Sequence, residues 1–372
     1  MELVTKTAYE LRDMLRHKEI TSEQLVEAYY EKIESDDQKN KGYITLDKDN
    51  ALAKAREVDK KIAAGETLPD LAGIPMGIKD NICTKGVKTT CASKMLENFI
   101  PPYNATIIEK LESQGAIMLG KQSMNEFAMA SVTEVVPGDA AFSIGTCAGE
   151  ATGQSTSPHG LVRMKASNGM ISKYGVISFS STLDQVALST KDVADMALVL
   201  NATVGHDEKD STSMPKEYPD YTKSLVQDIE GIRIAMPKEY FSEDINQDIK
   251  QAVIAAADQL KQKGAIVEEV SMPLAKYIQP VHYIISSGEA SSNLARLDGV
   301  AYGHRAKDYT DVDSLFSKSR GEGFGSEVKR RMMLGTFALS KESYDAYYKK
   351  AMQGAALIKK EHQDILDQFD II

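Results

Sequence analysis

The chain has 372 residues, 42% hydrophobic and 26% charged, with 44 Lys and Arg against 54 Asp and Glu for a net charge of −10. That is the composition of a folded globular protein long enough for a large α/β core, and it argues against disorder or a globally basic nucleic-acid binder. Cys83, Cys91 and Cys147 form an odd set without C-x-x-C spacing, as expected of reduced thiols in a cytoplasmic protein. The opening run MELVTKTAYELRDMLRHKEI lacks a signal-peptide core, and no stretch approaches the ~18 apolar residues of a bilayer span, so no membrane partner is expected.

Thr7-Ala-Tyr-Glu10 and Thr21-Ser-Glu-Gln24 both match the capping box, and Leu11, Leu15, Leu25, Ala28, Tyr29 and Ile33 recur at helical spacing behind them. Two N-terminal helices follow, then a third from Ala51 to about Ala64, stopped by Gly65. Asn104 to Gly120 reads as a helix capped by Asn104, a glycine stop and a short apolar strand. The same grammar returns as a strand Ile232–Met236, a helix Asp248–Lys263 and a strand from Gly264. Such alternation predicts βαβ crossovers and an α/β fold with a mixed, mostly parallel sheet flanked by helices. Ser189–Leu200 is a further apolar-faced helix, and beyond about residue 275 the chain turns mostly helical, with a long amphipathic helix from about Lys341 to Phe369. Residues 1–66 are expected to form a helical layer, 67–275 the α/β core and 276–372 a helical insertion with the last helix. Together they are read as one domain.

Two segments break the pattern. Residues 138–160 are rich in Gly, Ala, Ser and Thr, which suits either a backbone that approaches a ligand or a plain surface loop. Asp370-Ile-Ile372 looks like the start of a buried strand.

Leu71-Ala-Gly-Ile-Pro-Met-Gly-Ile-Lys-Asp-Asn-Ile82 is the most informative run, because it sets Lys79 inside an apolar, strand-like stretch. A buried lysine sheds hydration, its pKa falls, and its neutral amine becomes usable as a base. The alternative is a strand-end lysine that snorkels to solvent or pairs with Asp80.

LAGIPMGIKDNI, NATIIEKLESQGAIMLGKQSMNEFAMAS, KYGVISFSSTLDQ, GEASSNLARLDGV, SRGEGFGSEVKRRMMLGTFALS and YDAYYKK, in this order, resemble the amidase signature family along nearly the whole chain. Within it they are most similar to the A-subunit branch of glutamine-dependent tRNA amidotransferases. The resemblance implies a single amidase-type domain and a Ser–cis-Ser–Lys catalytic set. In that set the lysine deprotonates a bridging serine, the nucleophilic serine attacks an amide, and backbone N–H groups hold the oxyanion. It implies glutamine as substrate and partners in the B and C subunits, with ammonia passed on to amidate Glu-tRNA(Gln). No cofactor is expected on this chain, since ATP and Mg would be used by the partner subunit. Carried over by position, Lys79 is the catalytic lysine, while Met129, Ala130 and Ser131 line the pocket. Arg331, with Arg330 as an equally placed neighbour, falls where a guanidinium would clamp the glutamine carboxylate.

The chain departs from the family in one block. Thr133-Glu134 runs through Val-Val-Pro-Gly-Asp into Phe142-Ser-Ile-Gly145, so the G-G-S-S-G-G block that supplies the bridging serine is absent. Laid against G-S-D-T-G-G-S-I-R-Q, the nucleophile column holds Ala151, and Glu150 replaces a glycine. The family portion that follows the D-I-I strand is expected to be missing as well. Glutamine hydrolysis is therefore expected to be impaired, with a scaffolding pseudoenzyme, or a divergent amidase using Cys147, as alternatives. Thr146, Thr152 and Ser155 offer further hydroxyls, and His159 could pair with Cys147, although small loop residues and solvated histidines are the plainer reading. The other histidines lack metal-ligand spacing, so no metal is expected. Gly321–Gly325 lacks the P-loop pattern and reads as a turn before a helix, and Tyr344, Tyr347 and Tyr348 read as packing residues.

Overall fold

Both capping boxes form in a computed structural model of the protein, which describes residues 3–37, 42–129, 139–149, 160–226, 228–242 and 245–372. The helix α1 (Ala8–Arg16) opens where the Thr7 hydroxyl accepts the N–H of Glu10 at 3.2 Å and the Glu10 carboxylate accepts that of Thr7 at 2.8 Å. The helix α2 (Ser22–Asp37) opens with the same exchange between Thr21 and Gln24. Each box satisfies two N–H groups that have no partner within the helix.

The chain continues through β1 (Tyr43–Leu46), α3 (Lys48–Ala63), β2 (Pro75–Lys79), α4 (Thr106–Ser113), β3 (Ile117–Gln122), β4 (Phe142–Cys147), β5 (Val162–Lys165), β6 (Gln185–Thr190) and α5 (Val193–Thr203). It then forms β7 (Arg233–Pro237), α6 (Gln247–Gln262), β8 (Ile266–Val270), α7 (Ile278–Asn293), α8 (Val312–Gly323), α9 (Ser326–Leu339) and α10 (Tyr348–Leu366). None of these described helices is long and apolar enough to cross a membrane.

Contacts divide the chain into two units, Met1–Ser224 with Asn293–Arg330, and Leu225–Ser292 with Arg331–Ile372. The first holds a six-stranded mixed sheet in the order β1-β3-β2-β4-β6-β5. Central β2 runs parallel to β3 and β4, and β1, β6 and β5 attach antiparallel outside them. All five residues of β2 and all six of β3 are buried, as a sheet covered on both faces requires. Helices cover that sheet, with Leu11, Leu15, Leu25, Tyr29, Ile107 and Leu111 in the same core as Met76, Ile78 and Leu119. The N-terminal segment is tied down from α5 and the turn before it. Asp195 accepts the N–H groups of Ala8 at 2.7 Å and Tyr9 at 3.0 Å, and the Lys191 amine donates to the carbonyls of Val4 and Lys6 and to the Tyr29 hydroxyl.

Three sequence expectations shift in detail. Asn104 does not cap α4: Ala105 stands at that position, and the Asn104 amide oxygen accepts the Lys85 N–H at 2.7 Å. Ser189 and Thr190 finish β6 by pairing with β4 and β5, so α5 begins only after Asp192, whose carboxylate caps it. The last long helix begins at Tyr348, after turns across 341–347.

In the second unit, β7 and β8 pair in parallel, and Ile371 adds a parallel bridge to Ile234 while remaining 48% exposed. Ala235, Met272, Ile365 and Phe369 form its small core. There α7 and α9 approach closely at Gly335, where a Cβ would stand 1.9 Å from the Ser287 carbonyl oxygen. Beside that contact the hydroxyls of Ser291 and Thr336 share a hydrogen bond at 2.8 Å.

Candidate active site

Lys79 ends β2, so its side chain leaves the middle of the sheet and is only 7% exposed. Gly145 of β4 lies against its stem, where a Cβ would sit 3.5 Å from the lysine Cδ. The amine donates to the main-chain carbonyl of Thr146 at 3.0 Å. The Thr146 hydroxyl is engaged elsewhere, accepting from the Asn81 amide at 2.8 Å. Burial pushes the Lys79 pKa down to about 8, the charge of Arg163 adding to the fall while Asp184 and Cys147 oppose it. An appreciable share of the amine is therefore neutral near pH 7 and able to take a proton.

Strain gathers at the same strand end. Cys91, Ala92, Phe127 and Ala128 all adopt left-handed φ values between 48° and 59°, and the Phe127 N–H donates to the Cys91 carbonyl at 3.0 Å. The Cys91 N–H in turn reaches the carbonyl of Asp80, the residue after the lysine. Non-glycine residues held this way concentrate at functional sites.

A second buried lysine lies one strand away. Lys121 of β3 is fully buried, and its amine donates to the Ile82 carbonyl, the Thr89 hydroxyl at 3.0 Å and the Thr84 hydroxyl at 3.4 Å. Its pKa is pushed down to about 8 by burial, against the pull of Asp80, Cys83 and Cys91. Asp80 accepts from the Thr90 N–H and hydroxyl; burial raises its pKa, against those hydrogen bonds and Lys121. Together they pin the 80–92 loop that follows Lys79 at the strand end.

Met129 is buried directly behind the strained Phe127–Ala128 turn, and Cys147 is buried at the end of β4, its thiol accepting the Gly149 N–H. Ala130, Ser131, Glu150, Ala151, Thr152, Ser155 and His159 lie outside the described residues. Arg331 belongs to the second unit, where it is 6% exposed, stacks 4.0 Å over the Tyr283 ring and reaches the Ser286 hydroxyl at 3.4 Å. Its neighbour Arg330 is committed to the Glu327 carboxylate by two bonds of 2.8 and 2.6 Å.

Sequence reasoning missed Asp184 and Arg163. Burial holds the Asp184 carboxyl up at about 6, against hydrogen bonds that include the Ser180 N–H and against Lys79. The one signal for it was a carboxylate set directly before the apolar strand β6.

The site carries a stability signature. Unfolded lysine titrates near its ordinary 10.5, folded Lys79 near 8, so the unfolded chain binds more protons between those values. Stability contributed at this residue therefore rises with pH from 8 to 10.5. Lys79→Met is expected to be about 1–2 kcal/mol more stable than the unaltered chain at pH 7, after subtracting the lost bond to Thr146, with the advantage gone near pH 10. Urea midpoints of both proteins at the two pH values test this, and a difference that does not change with pH refutes it.

The family model described as Amidase matches residues 24–139 and again 135–372. The chain is 45% identical to the A subunit of glutamyl-tRNA(Gln) amidotransferase from Heliobacterium modesticaldum and 46% identical to that from Thermoanaerobacter pseudethanolicus, covering 100% of this chain and 82% of each relative. Both alignments run over 399 positions against a chain of 372, leaving 27 positions without a residue of this chain. Among solved structures, the A subunit of the same amidotransferase from Thermotoga maritima aligns with a TM-score of 0.75 at 28% identity, over 99% of this chain and 78% of that one. The peptide amidase of Stenotrophomonas maltophilia shares the fold, with a TM-score of 0.76 at 22% identity over 94% of this chain and 78% of that one.

Proposed function

Because the chain belongs to the amidase family, we propose that it is the A subunit of a glutamyl-tRNA(Gln) amidotransferase whose own glutamine-hydrolysing step is impaired. This assignment is supported by relatives of that name aligned over the full length of this chain. Its partners are then the B and C subunits and, through them, Glu-tRNA(Gln). ATP and Mg are used by the partner, with none held here.

Impairment follows from what acyl transfer needs. A hydroxyl attacks the amide carbon, a base takes its proton, and N–H donors hold the tetrahedral oxyanion. Lys79 supplies the base, buried and part-neutral. The observation that carries the reading is Ala151, which falls by the family resemblance in the attacking position and has no hydroxyl; by the same resemblance, the block that would supply the bridging serine is absent. Glu150 beside it adds negative charge where the oxyanion would develop. Met129, Ser131 and Arg331 remain as the substrate-binding set of this reading, the guanidinium being suited to a carboxylate.

The test is ammonia release from glutamine by the purified chain, alone and assembled with the B and C subunits. Release is expected at least about 10³-fold below that of a serine-bearing relative, the scale of losing a nucleophile, and unaltered by Lys79→Ala. Lys79-dependent release overturns the impairment, and failure to co-elute with B and C overturns the assignment to this complex. Cys147 supports a second reading as nucleophile, because it lies within electrostatic reach of both Lys79 and Arg163. In that case Cys147→Ala abolishes amide hydrolysis.

A further inference from the structure

In the first unit, a cleft of about 460 Å³ lies between the end of α1 and the segment that leaves α3. Arg12, Arg16 and Lys18 line it against a single carboxylate, Glu66, in a chain whose net charge is −10. Leu15, Ile62 and Leu68 give it an apolar surface. Its volume lies within the range of small-molecule sites.

The cations differ in how far they are already engaged. Arg12 is bound to Asp13 at 3.0 Å and to Asp70 at 3.3 Å, and Arg16 reaches the same Asp70 oxygen at 2.7 Å. One shared carboxylate leaves Arg16, nearly half exposed, with donors to spare. The Lys18 amine makes no hydrogen bond or ion pair with any described residue.

Lys18 also stands in a backbone position that does not favour it. Its φ is +59°, and it follows α1 in a turn where its own N–H bonds to the Leu15 carbonyl and the Glu19 N–H to that of Met14. Glycine is the usual residue there, because a Cβ is strained in the left-handed region. Lysine in its place gives up stability and contributes a cation at the cleft.

We propose that this cleft binds a small organic anion, a carboxylate or phosphate monoester on an apolar body. Lys18 and Arg16 take the charged group, and Leu15, Ile62 and Leu68 take the body. Calorimetric titration of the full chain with phenyl phosphate, benzoate, inorganic phosphate and benzamide tests it. At least one of the two aryl anions is expected to saturate, the tighter one identifying the headgroup. Inorganic phosphate, which lacks the body, and benzamide, which lacks the charge, are each expected to bind at least about tenfold more weakly. Lys18→Gly is expected to raise Tm while weakening the aryl anion about tenfold, separating the ligand role from folding. No saturation by either aryl anion up to about 10 mM, or Lys18→Gly binding as tightly as the unaltered chain, overturns the proposal.

Discussion

A Lys121→Ala chain is expected to lose about 4 kcal/mol of stability, with opening concentrated in the 80–92 loop. The amine of Lys121 serves the Ile82 carbonyl and the Thr84 and Thr89 hydroxyls, all in the run that follows the candidate catalytic strand. Truncation leaves those buried acceptors without their donor, removes the cation that partly offsets buried Asp80, and opens a void at a residue with no solvent exposure. Lys121→Met fills most of the void and relieves the burial of a cation, so it should cost about half as much. The contrast with Lys79→Met is the informative part. Both lysines are buried and pushed down to about 8, yet among the described residues Lys79 makes one hydrogen bond and Lys121 makes three, so the same change stabilises at one and destabilises at the other. Urea unfolding followed by circular dichroism gives the sizes, and hydrogen exchange of the amides from Ile82 to Ala92 gives the location. A uniform loss of protection across the sheet would refute a local role.

Gly335→Ala is expected to cost about 3 kcal/mol or more in the second unit, because interiors are close-packed and the obstacle is backbone. The added Cβ would stand 1.9 Å from the Ser287 carbonyl oxygen and 2.8 Å from the Ser291 Cβ, so α7 and α9 must separate and the Ser291–Thr336 hydroxyl bond is lost. Gly321→Ala in α8 is the matched control. Nothing lies within 4 Å of its Cβ, and alanine in an exposed helical position should gain about 0.5–1 kcal/mol over glycine. Thermal melts of the two variants should shift in opposite directions. Equal shifts would mean that the helix contact at Gly335 is absent.

Local signals in the chain were enough to place most elements. Thr7 with Glu10 and Thr21 with Gln24 fixed two helix starts, since a capping box is closed within four residues and needs no distant partner. The run around Lys79 announced a buried strand ending in an amine, because its apolar neighbours are contiguous in sequence. Boundaries set by distant partners were not legible. Ser189 and Thr190 read as helix by pattern and are strand because β4 and β5 pair with them. Asn104 looked like a cap and serves the Lys85 N–H instead.

Residue identity in order along the chain was enough for the family, for a candidate base at Lys79 and for the expectation of an alanine at position 151 in place of a hydroxyl. What surrounds Lys79 is set by the folded sheet. Asp184 and Arg163 come from strand ends separated from Lys79 by more than eighty residues, and Arg331 turned out buried under Tyr283 while Arg330 paired with Glu327 at the surface. Desolvation and charge act through space: they shift Lys79 from about 10.5 to about 8 according to which groups the sheet gathers around it, and no spacing along the chain records that gathering.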